Sequence, residues 1–87
     1  MNRSAILSKI ESERLRQLDL PGSELDATNT PNDWIAIASY YLAQEARRAS
    51  TITTDSGEFE RELIKAAAVI VAALEHIETM KTKGELV

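Results

Sequence analysis

The chain has no cysteine, so neither a disulfide nor a thiolate metal site can hold its 87 residues together, and hydrophobic packing has to do it. Nor is there a surplus of basic charge. Against 14 acidic residues stand 10 basic ones, a formal charge of -4, which argues against a general binder of nucleic-acid backbone while leaving room for a local basic pocket. The only histidine, His76, has no Cys, Ser or Asp arrangement marking it as a base, so a packing or surface role is expected. No apolar run is long: the nine residues from Ala66 to Leu74 fall short of the roughly 18 that cross a bilayer. Residues 1–9 lack an apolar core of signal-peptide length, and a soluble, cytoplasmic protein with no membrane partner is expected.

What is present is helical patterning. From Ser4 to Leu18, Ile6, Ile10 and Leu18 share one stripe, with Leu7 and Leu15 beside it and Lys9, Glu13 and Arg16 on the polar side. Pro21 and Gly22 end that helix, and Ser23 to Asn29, which carry no period, read as a loop. Thr30-Pro31-Asn32-Asp33 is a helix start: a hydroxyl that accepts from the third backbone N–H, a proline suited to the first helical position, and a carboxylate at the positive end of the dipole. The second helix runs to about Ala49 with two occupied faces. Ile35, Ala38, Leu42, Ala46 and Ala49 make an apolar stripe, and Trp34, Ile37, Tyr41, Gln44 and Arg48 a mixed one.

A polar connector from Ser50 leads to Asp55 or Ser56 as cap of a third helix, expected to reach Thr82. Phe59, Leu63, Ala66, Ile70 and Ile77 form its main apolar stripe, Gly84 its stop, and the last three residues are expected to fray. A helix apolar on every side over Ala66 to Leu74 needs burial that one small chain hardly supplies. The expected fold is therefore all-α: a single domain over 1–87 with helices at about 4–18, 31–49 and 58–82, an N-terminal helix plus a long antiparallel helical hairpin. Two hairpins are expected to pair into a four-helix bundle in a homo-oligomer, a dimer or higher.

Carboxylates three or four residues apart on facing helices can grip Mg²⁺ and leave coordination places for phosphate. Here Glu58 and Glu62 share a stripe of the third helix and Glu45 lies on the second, but the positions one turn away carry Lys65, Tyr41 and Arg48. The segments Asp33 to Ala46 and Glu62 to Glu75, with Glu13-Arg14-Leu15-Arg16-Gln17 and Leu25-Asp26 upstream, resemble the MazG-like all-α nucleotide pyrophosphohydrolases, particularly short phage and prophage members. The resemblance spans roughly residues 11 to 78. It implies metal ligands in an ExxE pair on the first long helix and an ExxD pair on the second; here Tyr41 and Gln44 stand at the first pair, and Glu62 and Lys65 at the second.

The resemblance thus implies a nucleotide-handling scaffold with a degenerate metal site. In the first reading it binds a nucleotide or nucleotide-derived signal without hydrolysing it and needs no cofactor. Trp34 and Tyr41 would meet a base, Gln44 its edge, and Lys65, paired with Glu62, a phosphate; Arg48, near the C-terminal end of its helix as the dipole favours, completes the ligand-binding set. Arg14 and Gln17 are expected as solvated helix residues that the likeness brings toward the ligand. In the second reading the chain is a Mg²⁺-dependent pyrophosphohydrolase with Glu45, Glu58 and Glu62 as metal ligands. In the third it is a structural helical module for oligomerisation or partner binding, with Trp34 and Tyr41 in the core.

Overall fold

The computed structural model describes residues 1–48 and 55–87, and of Glu45, Arg47 and Arg48 the backbone alone. Every regular element among the described residues is helical: α1 (Arg3–Leu18), a 3₁₀ segment (Ser23–Thr28), α2 (Pro31–Arg48), α3 (Ser56–Glu75) and α4 (Ile77–Thr82). No helix among the described residues is long and apolar enough to cross a membrane. The expected end of the second helix at Ala49 and most of the connector from Ser50 lie outside the described residues.

Local chemistry sets the helix starts. Asn2 accepts from the Ala5 N–H at 2.8 Å and opens α1. At α2 the capping is reciprocal: the Asp33 N–H donates to Thr30 Oγ1 at 3.1 Å, and the Thr30 N–H donates to Asp33 Oδ2 at 2.9 Å. The Thr30 backbone N–H, with the Thr30 hydroxyl beside it, holds the Asp33 carboxyl below the usual carboxylate range. Of the two candidate caps for α3, Asp55 is the one that acts, accepting from the Glu58 N–H at 3.0 Å.

The stretch expected as a loop after Gly22 is a 3₁₀ helix. Gly22, with φ at 92°, supplies the left-handed entry, and tight i to i+3 bonding needs no apolar period, so periodicity gave no sign of it. The third helix does not run unbroken to Thr82: it stops at His76 and restarts as α4. His76 Nδ1 lies 2.8 Å from the Ala72 carbonyl oxygen, and the His76 N–H bonds to Ala73 instead, so side chain and backbone share out the carbonyls of the last turn. The imidazole then stacks on Trp34, with 5.4 Å between ring centroids.

The core lies where α2, α3 and α4 meet. Trp34, Val69, Ala72 and Met80 are buried, with Ile37, Ala38, Tyr41, Ala73, Ile77 and Leu86 packed around them. Leu86, in the tail expected to fray, closes this core, and Lys83 ties the same end to the 3₁₀ segment by donating to the Ala27 carbonyl at 2.9 Å. The stripe turned inward on α2 is thus the mixed one carrying Trp34, and Ile35 and Leu42 of the purely apolar stripe stay exposed. On α3 the expected main stripe divides: Phe59, Leu63 and Ile70 are exposed, while its Ala66 is buried along with Ala68, Val69 and Ala72, and its Ile77 packs against the core. The reason is size. Alanines let the helix axes approach closely, and the bulky residues fit on the side that none of the described helices covers.

Candidate ligand-binding cleft

Two features meet on the side of the molecule where α1 lies across the hairpin. The first is a polar cluster between α1 and α3. Arg16 donates from Nε and Nη2 to the two carboxylate oxygens of Glu13, at 2.8 and 2.7 Å, a fork that fixes Glu13 across one turn of α1. Gln17 Nε2 donates to Glu13 Oε2 at 3.1 Å and reaches the Lys65 carbonyl on α3 at 3.4 Å. Lys65 Nζ stands 3.6 Å from Glu62 Oε1 and 5.8 Å from the centre of the Tyr41 ring. The Arg16 fork, aided by Gln17 and the Lys65 charge, holds the Glu13 carboxyl below its ordinary range against the cost of partial burial. The Arg16 guanidinium is pushed up in return.

The second feature is a cleft of about 190 Å³ under the turn at Gly22, bounded by Arg14, Gln17, Asp26, Trp34 and Tyr41 and floored by Val69 and Ala72. Arg14, expected to be solvated, is buried at 7 % exposure. Its Nε donates to Glu75 at 2.7 Å, and its Nη1 lies 3.8 Å from Asp26, so it joins α1 to α3 and to the 3₁₀ segment at once. Trp34, 5 % exposed, has an indole N–H with no acceptor among the described residues. A buried donor without a partner costs on the order of 1–3 kcal/mol, which an acceptor from outside would relieve. Gln17 and Tyr41 belong to both features, so cleft and cluster adjoin.

Of the residues singled out from the sequence, Tyr41, Glu62 and Lys65 come together, and Trp34 stands at the same cleft through Tyr41. Gln44 is otherwise engaged, its amide donating to the Tyr40 carbonyl at 3.1 Å. The side chains of Arg48 and Glu45 lie outside the described residues. Glu58 sits half-buried in the first turn of α3, one turn before Glu62. Among the described residues no group of three or more His, Cys, Asp or Glu side chains is placed to share a metal ion. The donors described around Glu62 do not fit Mg²⁺: its near neighbour is an ammonium, and Glu13 is held by a guanidinium.

Sequence reasoning missed Glu13 and Arg16 as partners of this site and underrated Arg14. The signal was the dense run Glu13-Arg14-Leu15-Arg16-Gln17, in which positions 13, 14 and 17 share one face at helical spacing. No family model matches the chain, and no curated protein and no solved structure matches it. Function has to be argued from the site itself.

Proposed function

We propose that this chain binds a nucleotide or a nucleotide-derived signal on a MazG-like helical scaffold without hydrolysing it, and that it works as a homo-oligomer in which two hairpins form a four-helix bundle. The observation that carries the reading is the cleft itself, lined by Trp34, whose buried indole N–H has no acceptor among the described residues, and by Tyr41, whose ring stands 5.8 Å from the Lys65 ammonium. Its volume is below the roughly 300–1,000 Å³ that encloses a drug-sized ligand, so one ring system fits and the remainder lies outside. A base stacked on Tyr41 with its edge toward the Trp34 indole offers that N–H an acceptor, and Lys65, beside the Tyr41 ring, attracts phosphate as a point charge. Glu62 holds that lysine in place.

Calorimetric titration with nucleoside triphosphates and with cyclic dinucleotides, in the presence and absence of Mg²⁺, tests this. Binding that persists without Mg²⁺ and weakens about tenfold in Lys65→Ala is expected, in line with losing one charge-assisted contact. No binding by any of these nucleotides ends the proposal. The enzyme reading keeps one observation in its favour: Glu62 Oε2 is buried with no hydrogen-bond partner among the described residues, an acceptor left open. Release of pyrophosphate from a nucleoside triphosphate that disappears in Glu62→Ala would decide for hydrolysis.

A further inference from the structure

We propose that the base held in the cleft beneath the Gly22 turn is guanine, read by the Asp26 carboxylate. This rests on the nucleotide reading above and adds the identity of the base. Asp26 lines the cleft with its side chain mostly buried, at 24 % exposure, and Arg14 Nη1 stands 3.8 Å from its Oδ2, beyond hydrogen-bond reach. Arg14 gives its Nε–H to Glu75 instead, at 2.7 Å. The Asp26 carboxylate thus has a balancing charge nearby but accepts a hydrogen bond from none of the described residues. The segment that carries it is pinned. The Leu25 N–H donates to the Gly22 carbonyl at 2.9 Å, Thr28 Oγ1 to the Leu25 carbonyl at 2.6 Å, and Lys83 Nζ to the Ala27 and Asn29 carbonyls at 2.9 and 3.3 Å. An acceptor held this way loses little freedom when a ligand arrives.

The two open oxygens select the base. A carboxylate pairs best with two parallel N–H donors, as Glu13 does with the Arg16 fork. Guanine alone of the common bases offers such a fork, from N1–H and the exocyclic amino group. Adenine and cytosine set a ring-nitrogen lone pair beside their amino group, and uracil sets carbonyl oxygens on both sides of its single N–H. Each brings a lone pair toward a carboxylate oxygen, a repulsion that rejects the wrong partner. Guanine also carries acceptors on either flank of the fork, O6 and N3, for the Trp34 indole N–H that has none among the described residues. Charge orients the whole nucleotide, since Asp26 repels phosphate from the base end while Lys65, beside the Tyr41 ring, attracts it. The groove of about 270 Å³ on the other side of α2 and α3, bordered by Trp34, Ile35, Ala38, Ile70 and Leu74, has only apolar walls and suits no base.

Water serves the partly exposed Asp26 in the empty cleft, so each hydrogen bond gained from guanine is worth about tenfold, the low end for a bond to a charged group. Calorimetric titration of the full chain with GTP, inosine triphosphate and ATP tests the proposal. Inosine triphosphate lacks the amino group and is expected to bind about tenfold more weakly than GTP. ATP lacks the fork and adds the repulsion, and about a hundredfold weaker binding is expected. In Asp26→Asn, GTP is expected to fall to the level of ATP while ATP binds no more weakly than before. Equal binding of the three nucleotides by the parent chain would overturn the guanine assignment and leave nucleotide binding standing, whereas binding of none would end both. Loss of GTP and ATP affinity by the same factor in Asp26→Asn would make Asp26 a structural partner of Arg14 and overturn the assignment as well. Should that variant lose its helical circular dichroism, the order of the three nucleotides on the parent chain decides.

Discussion

Helix α3 meets α2 and α1 by opposite means. Against α2 it presents Val69, Ala72 and Ala73 to Trp34, Ile37, Ala38 and Tyr41, an almost wholly apolar contact. To α1 it is tied by Lys9 to Glu60 at 2.9 Å, Arg14 to Glu75 at 2.7 Å and the reach of Gln17 to the Lys65 carbonyl, while Leu7, Leu15 and Leu18 remain exposed. Burial of apolar surface scales with area, whereas exposed ion pairs contribute little. The α2 contact therefore carries most of the stability, and the α1 contact positions the polar groups of the cleft.

The sharpest way to break this contrast is Trp34→Ala. Truncating a buried indole in the apolar contact costs about 3–5 kcal/mol, read as a large loss in the midpoint of urea denaturation, and a cost below about 1 kcal/mol would mean that the core lies elsewhere. Arg14→Met comes next. Removing a charge-assisted hydrogen bond costs about 1.5–3 kcal/mol. Because Glu75 is half exposed and returns to water, the loss falls at the low end, with faster amide exchange over 3–18 and unchanged exchange in α3. Equal acceleration in both helices would show that the two contacts form a single cooperative unit.

Acidification probes the same contact more gently. The pKa of Glu13 is depressed in the fold, so its contribution is complete above the unfolded-state value and disappears as pH falls through the folded one. Between neutral pH and the ordinary carboxylate range stability is flat in this respect. Below that range α1 loosens by less than about 1 kcal/mol, and Glu13→Gln removes this part of the pH dependence. Smallest is Lys9→Ala, whose ion pair with Glu60 is 47 % and 41 % exposed at the side chains; a change of 0–1 kcal/mol that vanishes in high salt is expected.

The contrast also explains what could be read from the sequence. Helix starts were legible because caps are local: Thr30 with Asp33, and Asp55 with the Glu58 N–H, act within four residues. The all-helical character followed from apolar period. What the period could not decide is which apolar residues turn inward, because that depends on neighbours far along the chain: Trp34, Ala66 and Ala72 are buried while Ile35 and Ile70 stay exposed. The stop at His76 depends on a ring finding both the Ala72 carbonyl and the Trp34 face. At the cleft, Tyr41, Glu62 and Lys65 were legible as a group, whereas the burial of Arg14 needed Asp26 and Glu75, 12 and 61 residues distant, to become visible.

Trp34 lies at both the cleft beneath the Gly22 turn and the open groove on the far side of α2 and α3. It is the only tryptophan in the chain, so its fluorescence is a built-in gauge of either surface, with no label to add. One ring that forms part of two cavities cannot adjust to the content of one without altering the other.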